Sequence, residues 1–184
     1  MAPPRARKIA VVGSPSVGKS SMTVQFVDQH FVESYYPTIE NRFSKTIRYK
    51  GQDYATEIID TAGQDGFSIM NQKHSIGVHG YVIVYSIASK ISFDMVRIIR
   101  DKLLDVTGTN SIPLVIVGNK SDLGAQRQVE TAEGKALADE FECPFVETSA
   151  RHNANVTKVF ELLIGEIEKH DNPTPEPANK CALM

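Results

Sequence analysis

Gly13-Ser-Pro-Ser-Val-Gly18-Lys19-Ser20 follows the β-rich run Lys8 to Val12 directly and opens a helical stretch that reads from about Gly18 to Asp28. In that strand-to-helix setting each residue type has a physical task. Gly13 and Gly18 permit the turns that aim successive backbone N–H groups at phosphate oxygens, and the helix start adds partial positive charge. Lys19 brings a full charge to terminal phosphates, and Ser20 offers a hydroxyl to Mg²⁺, a hard cation usually shared with substrate phosphates. The candidate phosphate-binding set is therefore Gly13, Ser16, Val17, Gly18, Lys19, Ser20 and Ser21. The bland alternative, a glycine-rich turn beside a stray lysine, needs the full pattern and its context to coincide by chance.

Outward from this loop the chain alternates. Two strand candidates, Arg42 to Lys50 and Tyr54 to Asp60, flank Gly51-Gln52-Asp53 at hairpin spacing. Gly80 to Ser86 and Ile112 to Val117 are continuous apolar runs, which signals strands buried on both faces of a parallel sheet. Ile91, Phe93, Val96, Ile99 and Leu103 form one helical apolar stripe; Val156, Val159, Phe160, Leu163 and Ile167 form another. Such an order predicts an α/β domain with a mostly parallel sheet and ligands outside the carboxyl ends of its strands.

Three further segments fall at strand ends. Asp60-Thr-Ala-Gly63 places a carboxylate where it meets the same metal through water, and Gly63 can bring its N–H to a γ-phosphate. Alone this tetrapeptide reads as a turn; one hairpin downstream of a phosphate loop it does not. Asn119-Lys120-Ser121-Asp122 follows Leu114-Val-Ile-Val117. The carboxylate of Asp122 can accept the paired N1–H and amino donors of guanine, whereas adenine would leave it unpaired at a cost on the order of several kcal/mol. Thr148-Ser149-Ala150, after the strand candidate Pro144 to Glu147, would cap the same base with a backbone N–H.

The chain has 184 residues, 41% apolar and 23% charged, which suits one globular domain and excludes collagen, coiled coil and wholesale disorder. Twenty basic against twenty-two acidic residues leave a net charge of -2, so no strong field draws nucleic acid, and none is expected as a partner. Apolar runs fall short of the roughly 20 residues that span a bilayer, and the N-terminus lacks a signal-peptide core. Cys143 beside Phe141 and Phe145 reads as a buried small hydrophobe, and the five histidines show no metal-ligand spacing. We divide the chain into a folded domain, residues 1–169, and a proline-rich tail, 170–184, ending in Cys181-Ala-Leu-Met184, a prenylation box whose methionine points to farnesyl.

The phosphate loop, Thr38, Asp60-Thr-Ala-Gly63, Asn119-Lys-Ser-Asp122 and Ser149-Ala150, in that order and spacing, resemble the Ras superfamily of small GTPases over about Arg7 to Glu168. Pro37-Thr38-Ile39-Glu40-Asn41 and the C-terminal box are similar to its Rheb branch. The resemblance implies a P-loop G domain: a mostly parallel six-stranded sheet, one antiparallel edge strand and helices on both faces. GTP or GDP and Mg²⁺ would be the ligands. Phe31, with Val32, would pack on guanine, Tyr35 would close over the phosphates, and Thr38 would join Ser20 and Asp60 at the metal and sense the γ-phosphate. Gln64 would face the attacking water, making Lys19, Tyr35, Thr38 and Gln64 the catalytic set and the segments around Thr38 and Gln64 the switches. The branch further implies slow hydrolysis, the TOR kinase complex as effector and an activating protein of the tuberin type. Cys181 would anchor the protein to the cytoplasmic face of endomembranes (lysosome or vacuole, ER, Golgi), with a cytosolic pool, because one lipid chain binds marginally.

The chain departs from the family pattern at several positions. Pro15 stands where Ras has glycine and Rheb arginine, Gly66 where an acidic residue is usual, and Arg151 where lysine is customary; Asn41 differs from the Ras aspartate but matches Rheb. Gly66 loosens its segment by about 1 kcal/mol relative to alanine. Three other readings stay open: a module that holds GTP almost permanently, a Ras-type switch with other effectors, and an ATP-using P-loop kinase, against which Asn119 to Asp122 argues.

Overall fold

A computed structural model describes residues 3–31, 40–62 and 77–172. In chain order they form β1 (Arg5–Gly13), α1 (Lys19–Asp28), β2 (Glu40–Tyr49), β3 (Gln52–Thr61), β4 (Gly80–Ser86), α2 (Lys90–Thr107), β5 (Leu114–Asn119), a 3₁₀ turn (Ser121–Gln126), α3 (Thr131–Phe141), β6 (Phe145–Glu147) and α4 (Val156–Asp171). The six strands make one sheet in the order β2-β3-β1-β4-β5-β6. All neighbours run parallel except β2, which pairs antiparallel with β3 at the edge. This is the sheet the Ras resemblance implies.

Both faces of β1, β4 and β5 are covered, so their alternating side chains feed two cores. Ile9 and Val11 enter one with Val82, Val84, Val115 and Val117; Ala10 and Val12 enter the other with Tyr81, Ile83 and Tyr85. The first core is closed by α1 and α4, where Phe26 stacks on Phe160 with ring centroids 4.0 Å apart. Val156, Val159, Phe160, Leu163 and Ile167 of α4 are all buried, as their spacing predicts.

Three local expectations need correction. The hairpin turn is Lys50-Gly51, with Tyr49 opposite Gln52, and not Gly51-Gln52-Asp53. Both turn residues have positive φ, 47° and 77°, as a two-residue turn matched to strand twist requires, and the glycine carries the larger value freely. Strand β5 starts at Leu114 and not Ile112, after Pro113, which has no N–H to give a ladder. Ile91 is 78% exposed. Helix α2 buries Ser92, Val96, Ile99 and Leu103, and at one residue Ile91 lies about 100° round the helix from Ser92, outside that stripe. Phe93, at the other margin, is partly buried against the second core.

Candidate nucleotide site

Strands β3 and β1 are neighbours and β5 follows beyond β4, and the carboxyl ends of these parallel strands deliver Asp60, Gly13 and Asn119 to one end of the sheet. At Gly13 (φ 150°) a Cβ would lie 2.3 Å from the Val84 carbonyl oxygen, so glycine is what lets the loop leave β1 against β4. At Gly18 (φ 93°) a Cβ would lie 2.3 Å from Asn119 Nδ2. That bare backbone is where the phosphate loop and the Asn119 segment meet. Asn119, 1% exposed, donates from Nδ2 to the Val17 carbonyl at 2.9 Å. Its Oδ1 accepts from Thr148 Oγ1 at 2.9 Å and from the Ala150 N–H at 3.3 Å. Lys120, in left-handed conformation (φ 66°), reaches back over the loop and donates from Nζ to the Ser16 carbonyl at 2.7 Å.

On the phosphate side Lys19 is buried, and its Nζ donates to the Ser14 carbonyl at 2.8 Å. Burial lowers its pKa to about 8, although the Asp60 charge pulls the other way. Ser20 Oγ donates to Asp60 Oδ2 at 2.5 Å. Asp60 is fully buried, and its Oδ1 has no hydrogen-bond partner among the described residues. Burial pushes its carboxyl up, against the Ser20 hydrogen bond and the Lys19 charge. A hydroxyl and a buried carboxylate with an oxygen to spare are hard donors, and they fit Mg²⁺. Thr61, next on β3, donates from Oγ1 to the Val11 carbonyl at 2.8 Å and fastens the end of β3 to β1.

On the base side the Asp122 carboxylate is exposed and accepts from Ser149 Oγ at 2.8 Å, so its orientation is set by the second base segment. Ser149 and Ala154 exchange backbone hydrogen bonds at 3.1 and 2.9 Å, closing the loop that presents Ala150. Val17 is buried in the first core, and Phe31 packs partly buried against it. Pro15 and Ser16 are exposed on the loop, while Ser21 is half-buried in the first turn of α1. The structure thus gathers Gly13, Ser16, Val17, Gly18, Lys19, Ser20, Ser21, Asp60, Asn119, Lys120, Asp122, Ser149 and Ala150. Val32, Tyr35, Thr38, Gly63, Gln64, Gly66 and Cys181 lie outside the described residues.

Sequence reasoning missed Gln25, which is buried in α1 and donates from Nε2 to the Ala150 carbonyl at 2.8 Å. The only prior signal was a polar residue on a helix whose other buried positions include Met22 and Phe26. The Ser14 carbonyl, as the acceptor for Lys19, was also invisible to a pattern that treats its position as free.

A Ras-family profile matches residues 8–169. The chain belongs to the Ras family. It is 68% identical over 184 residues to GTP-binding protein rhb1 of Schizosaccharomyces pombe, covering 100% of both chains. It is 65% identical over 185 residues to Small monomeric GTPase RhbA of Aspergillus fumigatus, covering 100% of this chain and 99% of that one. With GTP-binding protein Rheb of Homo sapiens it shares 47% identity over 180 residues, 98% of each chain. This Ras-family member is therefore a Rheb-like small GTPase, an enzyme whose family binds GTP and GDP with Mg²⁺.

Proposed function

We propose that this GTPase is a membrane-associated switch of the Rheb type, in which slow GTP hydrolysis controls activation of the TOR kinase complex. The observation that carries the reading is the cluster of buried Lys19 and Asp60 with half-buried Ser20: one cation and two oxygen groups set at the mouth of a phosphate loop. In this reading Lys19 leaves the Ser14 carbonyl for the terminal phosphates, and Ser20 with Asp60 holds Mg²⁺, the aspartate through water. When bound, Mg²⁺ neutralises charge on the phosphate oxygens. Gly13 and Gly18 keep the loop N–H groups turned inward, and Asp122, oriented by Ser149, accepts the N1–H and amino donors of guanine.

The family pattern supports the remaining roles. Thr38 senses the γ-phosphate, Gln64 orients the attacking water, Tyr35 covers the phosphates, Phe31 and Val32 flank the base, and Gly63 contacts the γ-phosphate. Cys181 carries a farnesyl group, and one chain of that length gives reversible attachment, so we place the protein on endomembranes with a cytosolic pool. An activating protein of the tuberin type accelerates hydrolysis.

Nucleotide competition tests the site. GTP should displace labelled GDP where ATP does not, and Asp122→Ala should lose that preference while the protein stays folded. Equal displacement by ATP and GTP refutes the guanine assignment. For the switch, TOR kinase activation in a reconstituted assay should require bound GTP and be lost in Thr38→Ala; activation independent of the nucleotide refutes it.

A further inference from the structure

At the opposite end of the sheet from the nucleotide site, a groove of about 680 Å³ runs between α4 and the β2–β3 hairpin. Tyr49 supplies its accessible aromatic surface, with Tyr54 lining it from the buried core, Leu162 adds apolar surface from α4, and Asn172 lines it where α4 ends. Gly165 explains why the groove has this shape. A glycine inside a helix costs about 1 kcal/mol relative to alanine, yet a Cβ here would lie 2.8 Å from the Tyr49 hydroxyl. The missing side chain lets the Tyr49 ring reach across onto the helix and form a wall.

The chain leaves α4 inside this groove, and the next five residues are Pro173-Thr-Pro-Glu-Pro177. Alternating prolines favour the extended polyproline II helix, whose backbone makes no internal hydrogen bonds and whose ordering cost is already low. Such helices dock in grooves lined by aromatic side chains. We propose that this stretch of the chain's own tail folds back along α4 and docks as a polyproline II strand against Tyr49.

Length agrees with that occupant. Lys158 and Asn172 both line the groove, so it follows roughly 21 Å of helix, and five residues of polyproline II cover about 15 Å of it. Within the stretch the one charge is Glu176, so the stretch is nearly neutral, as is a groove lined by Lys50, Lys158 and Lys169 against Glu161, Glu166 and Glu168. Of the three acids, Glu168 is engaged by Arg5 at 2.9 Å and Arg7 at 2.6 Å, which leaves Glu161 and Glu166 facing the groove's lysines. With no linker between groove and ligand, the local concentration is on the order of millimolar or higher, so even a weak contact is populated. Docking holds the lipid attachment point Cys181 close to the end of the domain away from the nucleotide.

The test uses the full GDP-loaded chain with Cys181→Ser and a nitroxide attached after Ala178→Cys. Cys143, a half-buried free thiol, is replaced as Cys143→Ala so that the nitroxide has a single attachment site. Docking predicts that the amides of Tyr49, Lys50 and Leu162 lose most of their NMR intensity, and that Pro175→Ala with Pro177→Ala, which leaves the folded domain untouched, restores it. Tyr49→Ala should restore the Leu162 signal as well. Attenuation confined to the residues around Asn172, and equal in all variants, overturns the proposal. Attenuation that appears only when labelled and isotope-enriched chains are mixed means that a second copy fills the groove, which also overturns it.

Discussion

Moving the nucleotide-free protein from pH 7 to pH 9 should change how many protons GDP binding takes up, because Lys19 loses its own proton within that interval. Its pKa stands at about 8, lowered by burial from the ordinary 10.5. By that value about nine in ten molecules carry neutral Lys19 at pH 9 and about one in ten at pH 7. Phosphate oxygens beside Nζ favour the ammonium, so binding that restores it takes up about 0.9 proton at pH 9 and about 0.1 at pH 7. The same fractions weaken GDP affinity about tenfold at pH 9, or about 1.4 kcal/mol. Titration calorimetry in buffers of different ionisation enthalpy reads the uptake directly. The stability of the nucleotide-free fold has a matching sign: between pH 8 and 10.5 the unfolded chain binds the proton that the folded one has lost, so stability rises with pH there. Proton uptake near zero at pH 9 refutes the argument.

Other perturbations separate the fold from the site. Gly13→Ala drives a Cβ into the Val84 carbonyl, which belongs to the backbone of β4, and should cost about 3 kcal/mol or more in urea unfolding; Gly18→Ala, strained at φ 93° and set against the buried Asn119 amide, should lower nucleotide affinity as well as stability. Phe160→Ala empties the stack on Phe26 and should cost about 3–5 kcal/mol in denaturant titration at saturating GDP, a loss below about 1 kcal/mol being inconsistent with the packing. Pro15, exposed on the phosphate loop, puts a ring where an arginine from a Ras-type activating protein would enter, so that protein should barely accelerate single-turnover hydrolysis. A strong acceleration that Gln64→Leu abolishes would show otherwise. Intact mass of the protein from its native cell should show farnesyl on Cys181 and loss of the last three residues; a free Cys181 followed by Ala-Leu-Met would exclude the anchor.

Segments whose structure follows from local chemistry were legible in the sequence. The phosphate loop announces itself through glycine spacing, and β4 through seven consecutive apolar or small residues, all of which are buried. What the sequence concealed depends on contacts between distant residues. Asn119 reads as the first residue of a base-binding segment, but its bond to Val17 spans 102 positions and its partner Thr148 lies 29 away. Gln25 meets Ala150 across 125 positions, and no local pattern distinguishes it from a glutamine facing water. The extra residues at the start of β1 exist because Arg5, Ala6 and Arg7 pair with Tyr54, Ala55 and Thr56, while the two arginines bond Glu168. Ile91 failed for a different reason. An apolar residue near a helix start counts toward a stripe in composition but not in angle.

The cross-link at Asn119 has a kinetic consequence. Lifting the phosphate loop withdraws the Val17 and Ser16 carbonyls from Asn119 and Lys120 at once, and the Asn119 oxygen then no longer holds Thr148 and Ala150 in place. Phosphates and base are therefore let go in one cooperative opening, so nucleotide dissociation should follow a single exponential whichever end of the ligand carries the probe. An exchange catalyst for this protein needs purchase on one side of the pocket to empty both.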